Sequence, residues 1–404
     1  MRMTRRAVLA CAGAAAAATA LPAASVLAAG PDALPLPPPL KPEAFRERQA
    51  KLRAEAKARG LDALFVTPST NLAYSANLAI GRSERLTALL LFADGPAVLL
   101  TPSFEEANHR LTAVVDDVKT WQEDEDPIAI AGKLLSGKKT VGVEGTTSYA
   151  TVTALSQSSP AKIEDGTAVF DALRMIKSPE EQAFIRDAAK RTNLAIDGTH
   201  KRMRAGMSES EVARILEEEF TRQGARGGGL VQFGPSSAFP HGAPAERRLT
   251  KGDPVLIDCG CKVRGYSSDI TRTVSFGPPS DEFRKVYATV DRAQMAGIEA
   301  LKTGAAGEDV DRAARKVIED AGYGKYFTHR LGHGLGMDGH EQPYLVRGNR
   351  KPLSTGNVET IEPGIYIPDH FGVRIEDDYA VQPDGAKSLS VRQGEMRVVG
   401  EKNG

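Results

Sequence analysis

Two aspartates stand in stretches that otherwise read as buried strand, Asp258 in VLIDCG and Asp269 in SSDITRTVSF. A buried carboxylate is costly unless it is paired, hydrogen-bonded or bound to a cation. The turn at residues 262–265 lets the two stretches pair antiparallel, with both aspartates on one face as cross-strand neighbours. Two like charges placed so repel, and a bound cation removes the repulsion. A further block, HRLGHGLG, sets His329 and His333 four residues apart. Its glycines argue against a helix, and no glutamate follows the first histidine as it would in a zinc-protease helix. In an extended segment the two histidines share a face. Glu362 in TIEPG and Glu376 in VRIEDD repeat the pattern of an acid in an apolar strand context. One buried acid alone is usually satisfied by core partners. Four carboxylates and an imidazole together are a hard, mostly oxygen ligand set, which suits Mn, Co, Fe or Zn.

Elements far apart in the chain must bring these residues together. Residues 43–172 read as an α/β domain. Phe45, Leu52 and Ala56 recur at helical spacing and Gly60 ends the pattern. Strands are expected at 61–66, 86–92, 97–100, 114–121 and 140–144, with a hairpin turn at Asp94-Gly95 and a helix at 128–135. The acidic run at 123–126 reads as a solvated loop, and no chemically able cluster is visible in this half. Residues 173–404 read as an α+β domain. Ser178-Pro179-Glu180-Glu181 and Ser208 to Glu211 are capping boxes that open helices running to about 204 and 224. Gly227 to Gly229 read as a flexible loop, and no Gly-Lys-Ser/Thr follows to make it a phosphate loop. Strands at 255–261 and 266–276, a helix pair at 281–301 and 308–321, and strands near 331 and at 358–361, 364–367 and 373–381 complete the pattern.

A chain of 404 residues implies about two domains. Its formal net charge of zero leaves no global field to hold nucleic acid or an anionic membrane. Arg5 and Arg6 precede an uncharged, Ala-rich run, so residues 1–29 read as an export signal of the twin-arginine type. The weakly apolar run ends in Pro31, which favours cleavage over anchoring, with no membrane insertion afterwards, and a periplasmic or extracellular location. Residues 30–42 are a Pro-rich linker. Cys11 lies in the signal, while Cys259 and Cys261 are poorly placed to bond each other and read as small buried residues.

The segments FGPSSAFPHG, VLIDCG, SDITRTV, HRLGHGLGMDGHEQPY, TIEPGIY and GVRIEDD, spread over residues 232–378, resemble the pita-bread metallopeptidases. That family holds the Xaa-Pro aminopeptidases, prolidases and methionine aminopeptidases. The helix start MIKSPEEQ is similar to the opening of that family's catalytic domain, and residues 41–170 resemble its creatinase/prolidase-like N-terminal domain more loosely. The resemblance implies that Asp258, Asp269, His333, Glu362 and Glu376 bind two divalent metal ions, Mn foremost, with Co, Zn or Fe admitted. Asp269 and Glu376 would bridge the ions. His241 and His340 match the family's substrate histidines and His329 a further one nearby. Arg374 matches the arginine beside the last ligand. Glu362 is either a general base or a ligand only. The implied reaction is hydrolysis of the N-terminal bond of short peptides, before proline, by an Xaa-Pro aminopeptidase or Xaa-Pro dipeptidase that forms a homodimer. A creatinase-like hydrolase of a non-peptide amide or amidine, and an inactive binding homologue, are the other readings. The five intact ligand types weigh against both. His109, His200 and His370 match nothing and read as structural or surface residues.

Overall fold

Mostly buried residues on Pro254–Val263 and Ile270–Phe276 build the antiparallel pair on which the catalytic half is assembled. A computed structural model describes residues 33–400. The export signal expected at residues 1–29, with Cys11, lies outside the described residues. Among those residues no helix is long and apolar enough to cross a membrane.

The N-terminal half is a six-stranded mixed sheet in the order 117–121, 97–102, 88–92, 63–66, 140–143, 162–165. The hairpin at Asp94-Gly95 forms as expected, Ala88–Phe92 pairing antiparallel with Ala97–Pro102. The outer strands run parallel and are linked by helices, which cover both faces of the sheet. Four helices here, Thr70–Ala76, Glu106–Arg110, Tyr149–Ser158 and Thr167–Arg174, were not expected from the sequence. Residues 33–41 of the Pro-rich segment have no regular structure and lie along the catalytic half, and Pro42 opens helix Pro42–Ala58. The carbonyls of Pro35 and Pro37 accept from Arg191 and Arg264.

The catalytic half repeats one design twice. Helices Pro179–Arg202 and Glu209–Arg222, both opened by complete capping boxes, pack on a sheet ordered 398–399, 270–276, 254–263, 227–233. Helices Asp281–Ala300 and Gly307–Asp320 pack on a second sheet ordered 341–345, 332–334, 358–361, 377–382, 385–388, and on the hairpin of Gly364–Ile367 with Phe371–Arg374. Two helix pairs, each packed on its own sheet, make the pita-bread architecture. Where the halves meet, Arg48 and Tyr266 both bond the Glu181 carboxylate in a buried cluster.

Several expectations are corrected. Gly227 to Gly229 are not a flexible loop but the start of strand Gly227–Phe233, which pairs with Pro254–Val263. The glycines serve close approach: a Cβ at Gly229 would lie 2.0 Å from the carbonyl oxygen of Asp258. Gly229→Ala must therefore push the Asp258 backbone aside, at a cost of about 1–3 kcal/mol for overpacking. A urea titration should show a lower midpoint with unchanged slope. The expected strand 266–276 is broken into Tyr266–Ser267 and Ile270–Phe276, and the expected strand 373–381 into Phe371–Arg374 and Asp377–Gln382. Asp269 and Glu376 sit in the two breaks. Asp258 lies inside a ten-residue strand, as the expected strand at 255–261 places it.

Candidate metal centre

Asp258 faces Thr271 across the antiparallel pair, and Asp269 lies two residues before Thr271. The two aspartates are thus diagonal neighbours on one face rather than directly opposed. Glu362 follows the end of strand Val358–Ile361, Glu376 links two sheets, and His333 sits mid-strand in Gly332–Gly334. A residue released from the ladder can turn its side chain toward a shared point, and the strand ends do this for Asp269, Glu362 and Glu376. One ligand atom each from Asp258, Asp269 and Glu376 lie within 4.8 Å of one another. The same holds for His333, Glu362 and Glu376, and for Asp269, His333 and His340. His333 Nε2 is 3.3 Å from Glu362 Oε1 and 3.8 Å from Asp269 Oδ2.

Burial raises the Asp269 carboxyl well above its ordinary value, helped by the charges of Asp258, Glu362 and Asp378. Burial and then Asp269 and Glu362 do the same to Glu376. Glu362 is raised to about 7, first by burial. His333 is lowered to about 3, first by burial and then by the neighbouring His340. A cluster of acids beside a neutral imidazole fits divalent cations, which remove the repulsion that burial magnifies. The His333 ring is set for ligation: Nδ1 is 3.1 Å from the Gly334 carbonyl and donates to it, leaving Nε2 with a lone pair toward the acids. The acids are steadied too. Thr271 Oγ1 donates to Glu376 at 2.6 Å, the Asp269 amide donates to Asp378 at 3.3 Å, and Thr360 links the His333 amide to Glu362.

Arg374 lies behind Asp258, buried and ion-paired to it. Its guanidinium also donates to Tyr366 Oη at 2.8 Å and to Thr271 Oγ1 at 3.1 Å. Tyr366 Oη lies 2.9 Å from Nε2 of His329, whose own pKa burial lowers to about 3. His329 therefore ends a relay of Asp258, Arg374 and Tyr366 and does not join the acids. Tyr366 and Thr271 were not singled out in the sequence, where a hydroxyl inside a strand carries no periodic signal. His340 is exposed, with its ring centroid 3.9 Å from that of His333 and its Nδ1 3.2 Å from Arg330. His241 is exposed on the irregular stretch after Phe239. The remaining histidines stand apart: His109 bonds Thr101 in the N-terminal core, His200 is buried, and His370 pairs with Glu282 at the surface. Cys259 and Cys261 are buried free thiols.

Two stacked helix-and-sheet units enclosing an acid-rich centre, with a mixed-sheet domain beside them, define a two-domain metallohydrolase. Residues 183–383 match the profile of metallopeptidase family M24, and residues 48–176 match the creatinase/prolidase N-terminal domain. The dipeptidase PepE of Mycobacterium ulcerans superposes with a TM-score of 0.84 at 33% identity, over 90% of this chain and 100% of that one. The Xaa-Pro dipeptidase of Bacillus anthracis gives 0.81 at 31%, over 88% and 100%. The X-Pro aminopeptidase of Thermotoga maritima gives 0.77 at 29%, over 86% and 100%. The chain belongs to metallopeptidase family M24, a family of dinuclear metal-dependent enzymes.

Proposed function

We propose that this chain is a metal-dependent exopeptidase that hydrolyses the N-terminal bond of short Xaa-Pro peptides, dipeptides foremost. The observation that carries the reading is the convergence of Asp258, Asp269, His333, Glu362 and Glu376 on one partly enclosed point. Asp258, Asp269 and Glu376 would hold one divalent ion and His333 and Glu362 the other, with Asp269 and Glu376 shared. When bound, such ions polarise a carbonyl and acidify water enough to make a nucleophile near neutral pH. Mn is the ion this oxygen-rich set favours.

The chain's own groups do the rest. Glu362, at the edge of the ligand cluster, is the group placed to accept a proton from an attacking water and pass it on. His340 stands exposed beside His333, and it and the exposed His241 can offer ring N–H groups to a peptide carbonyl. Arg374 fixes Asp258 from behind. The clustered acids attract the free amine of a peptide, which selects chain ends over internal bonds. The sequence pattern of residues 1–29 supports an exported enzyme.

The test is hydrolysis of an Xaa-Pro dipeptide and an Xaa-Pro-Yaa tripeptide by the purified, Mn-loaded chain. Cleavage of the dipeptide, lost on chelation and restored by Mn, is expected. Cleavage of the tripeptide alone would make it an aminopeptidase, and cleavage of neither removes the peptidase reading.

A further inference from the structure

His340 stands on the bend at residues 336–340, which has no ladder of its own. The bend is pinned from two sides. On the catalytic side, Ser267 N–H donates to the Gly336 carbonyl at 2.8 Å and Lys262 Nζ to that of Met337 at 2.6 Å. The other side is the N-terminal half. Met337 packs against its core, and Thr70 Oγ1 donates to Asp338 Oδ1 at 2.5 Å. Arg174, the last residue of helix Thr167–Arg174 and within the residues 48–176 that match the creatinase/prolidase N-terminal domain, does more. Its Nη2 donates to Asp338 Oδ2 at 2.6 Å and to Glu341 Oε1 at 2.5 Å, so it grips acids on both sides of His340. Nη1 is itself held by Asn71 Oδ1 at 2.9 Å. The two acids are joined within the bend, since the Asp338 amide donates to Glu341 Oε1 at 3.0 Å. Gly336 leaves room for this, because a Cβ there would lie 2.7 Å from Glu341 Oε2. A cavity of about 220 Å³ opens at this seam, with Asp171 and Arg174 on one wall and Asp338, His340 and Glu341 on the other.

We propose that Arg174 is a positioning residue: its grip on Asp338 and Glu341 lets the N-terminal half fix where His340 stands beside His333. The N-terminal half is thereby part of the active site's alignment as well as its wall. Guanidinium suits the task because one planar group reaches both carboxylates, whereas an ammonium is a single point. Glu341 shows how firm the grip is. Burial would raise its carboxyl, yet Lys177 and Arg174 together hold it below the ordinary value. The consequence for rate rests on the peptidase reading above, while the structural consequence does not.

The test compares wild type with Arg174→Ala and Arg174→Lys in the full chain. Ring resonances of His340, assigned by their loss in His340→Ala, are read by NMR in the metal-free protein. They should move in Arg174→Ala and return part of the way in Arg174→Lys, with His370 unmoved. A His340 resonance unchanged in Arg174→Ala overturns the proposal whether or not the chain is a peptidase. On an Xaa-Pro dipeptide, Arg174→Ala should lose about 10²-fold in kcat with bound metal unchanged, the scale of a misplaced group. Arg174→Ala combined with His340→Ala should be no slower than His340→Ala alone, and multiplying losses overturn the proposal. Should Arg174→Ala fail to fold because Glu341 loses a partner, Asp338→Asn and Arg174→Lys carry the same comparison. If wild type cleaves no peptide, the peptidase reading fails and the NMR result still decides the latch.

Discussion

Asp269→Asn is expected to abolish metal retention and peptide hydrolysis while making the metal-free protein more stable. Asp269 takes part in two of the three ligand groupings and lies between Asp258 on one side and His333 on the other. Its loss removes a shared charge from both halves of the centre. Several kcal/mol of charge stabilisation is at stake, which corresponds to a fall in kcat/KM of about 10³-fold or more. The stability change has the opposite sign. In the absence of ions, burial and the charges of Asp258, Glu362 and Asp378 all oppose ionisation of Asp269. An amide of nearly the same shape escapes that conflict and can still donate to a neighbouring acid. At pH 8, in chelator, a gain on the order of 1 kcal/mol or more is expected, since each unit of raised pKa is worth about 1.4 kcal/mol. Metal analysis, kcat/KM and urea unfolding of the same preparation separate the two effects. A fully loaded, fully active Asp269→Asn protein would remove the two-ion centre.

Such a conflict between stability and function is also what made the site legible. Asp258 and Glu362 interrupt apolar runs, Asp269 and Glu376 stand in stretches that read as strand, and a carboxylate so placed is visible without a structure. The helix starts were equally plain, because Ser178 and Ser208 each stand three residues before a glutamate. What stayed hidden depends on contacts between distant segments. Gly229 looked like loop because its glycine answers to the carbonyl of Asp258 on the next strand, not to a local turn. The edge strand Lys162–Asp165 alternates nothing, since none of its residues is fully buried. Strand breaks at Asp269 and Glu376 are set by the partner sheet, so the periodicity ran through them. Arg174 carried no signal, since even the helix that it ends was not expected there. Only the fold brings it to Asp338 and Glu341.

Chelation should turn the protein into one that weakens as pH rises above about 6.5. For an acid whose pKa is raised on folding, the folded state binds more protons than the unfolded one between the two values. The stability such a group permits is therefore full below its unfolded pKa and is lost as pH climbs through the folded one. Glu362 spans the window from its ordinary value of 4.5 to about 7, and Asp269 and Glu376 extend it upward. Buried histidines act in the opposite sense lower down. His200, His329 and His333, each held at about 3, make stability rise with pH until the ordinary value of 6.5 is passed. The two trends offset each other in the acid range, and only the carboxyls remain above it. Each acid still protonated there contributes up to about 1.4 kcal/mol per pH unit. Bound ions stabilise the carboxylate forms and compete with protons for the same atoms, so the loaded protein should lose much less. Glu359 and Asp378, buried acids raised by burial but absent from the ligand groupings, leave it a residual slope. The measurable quantity is the gap in unfolding free energy between loaded and chelated protein at fixed ion concentration. It should widen steadily from pH 6.5 to 8, and a gap that does not change with pH would mean that these carboxyls are not where the ions bind.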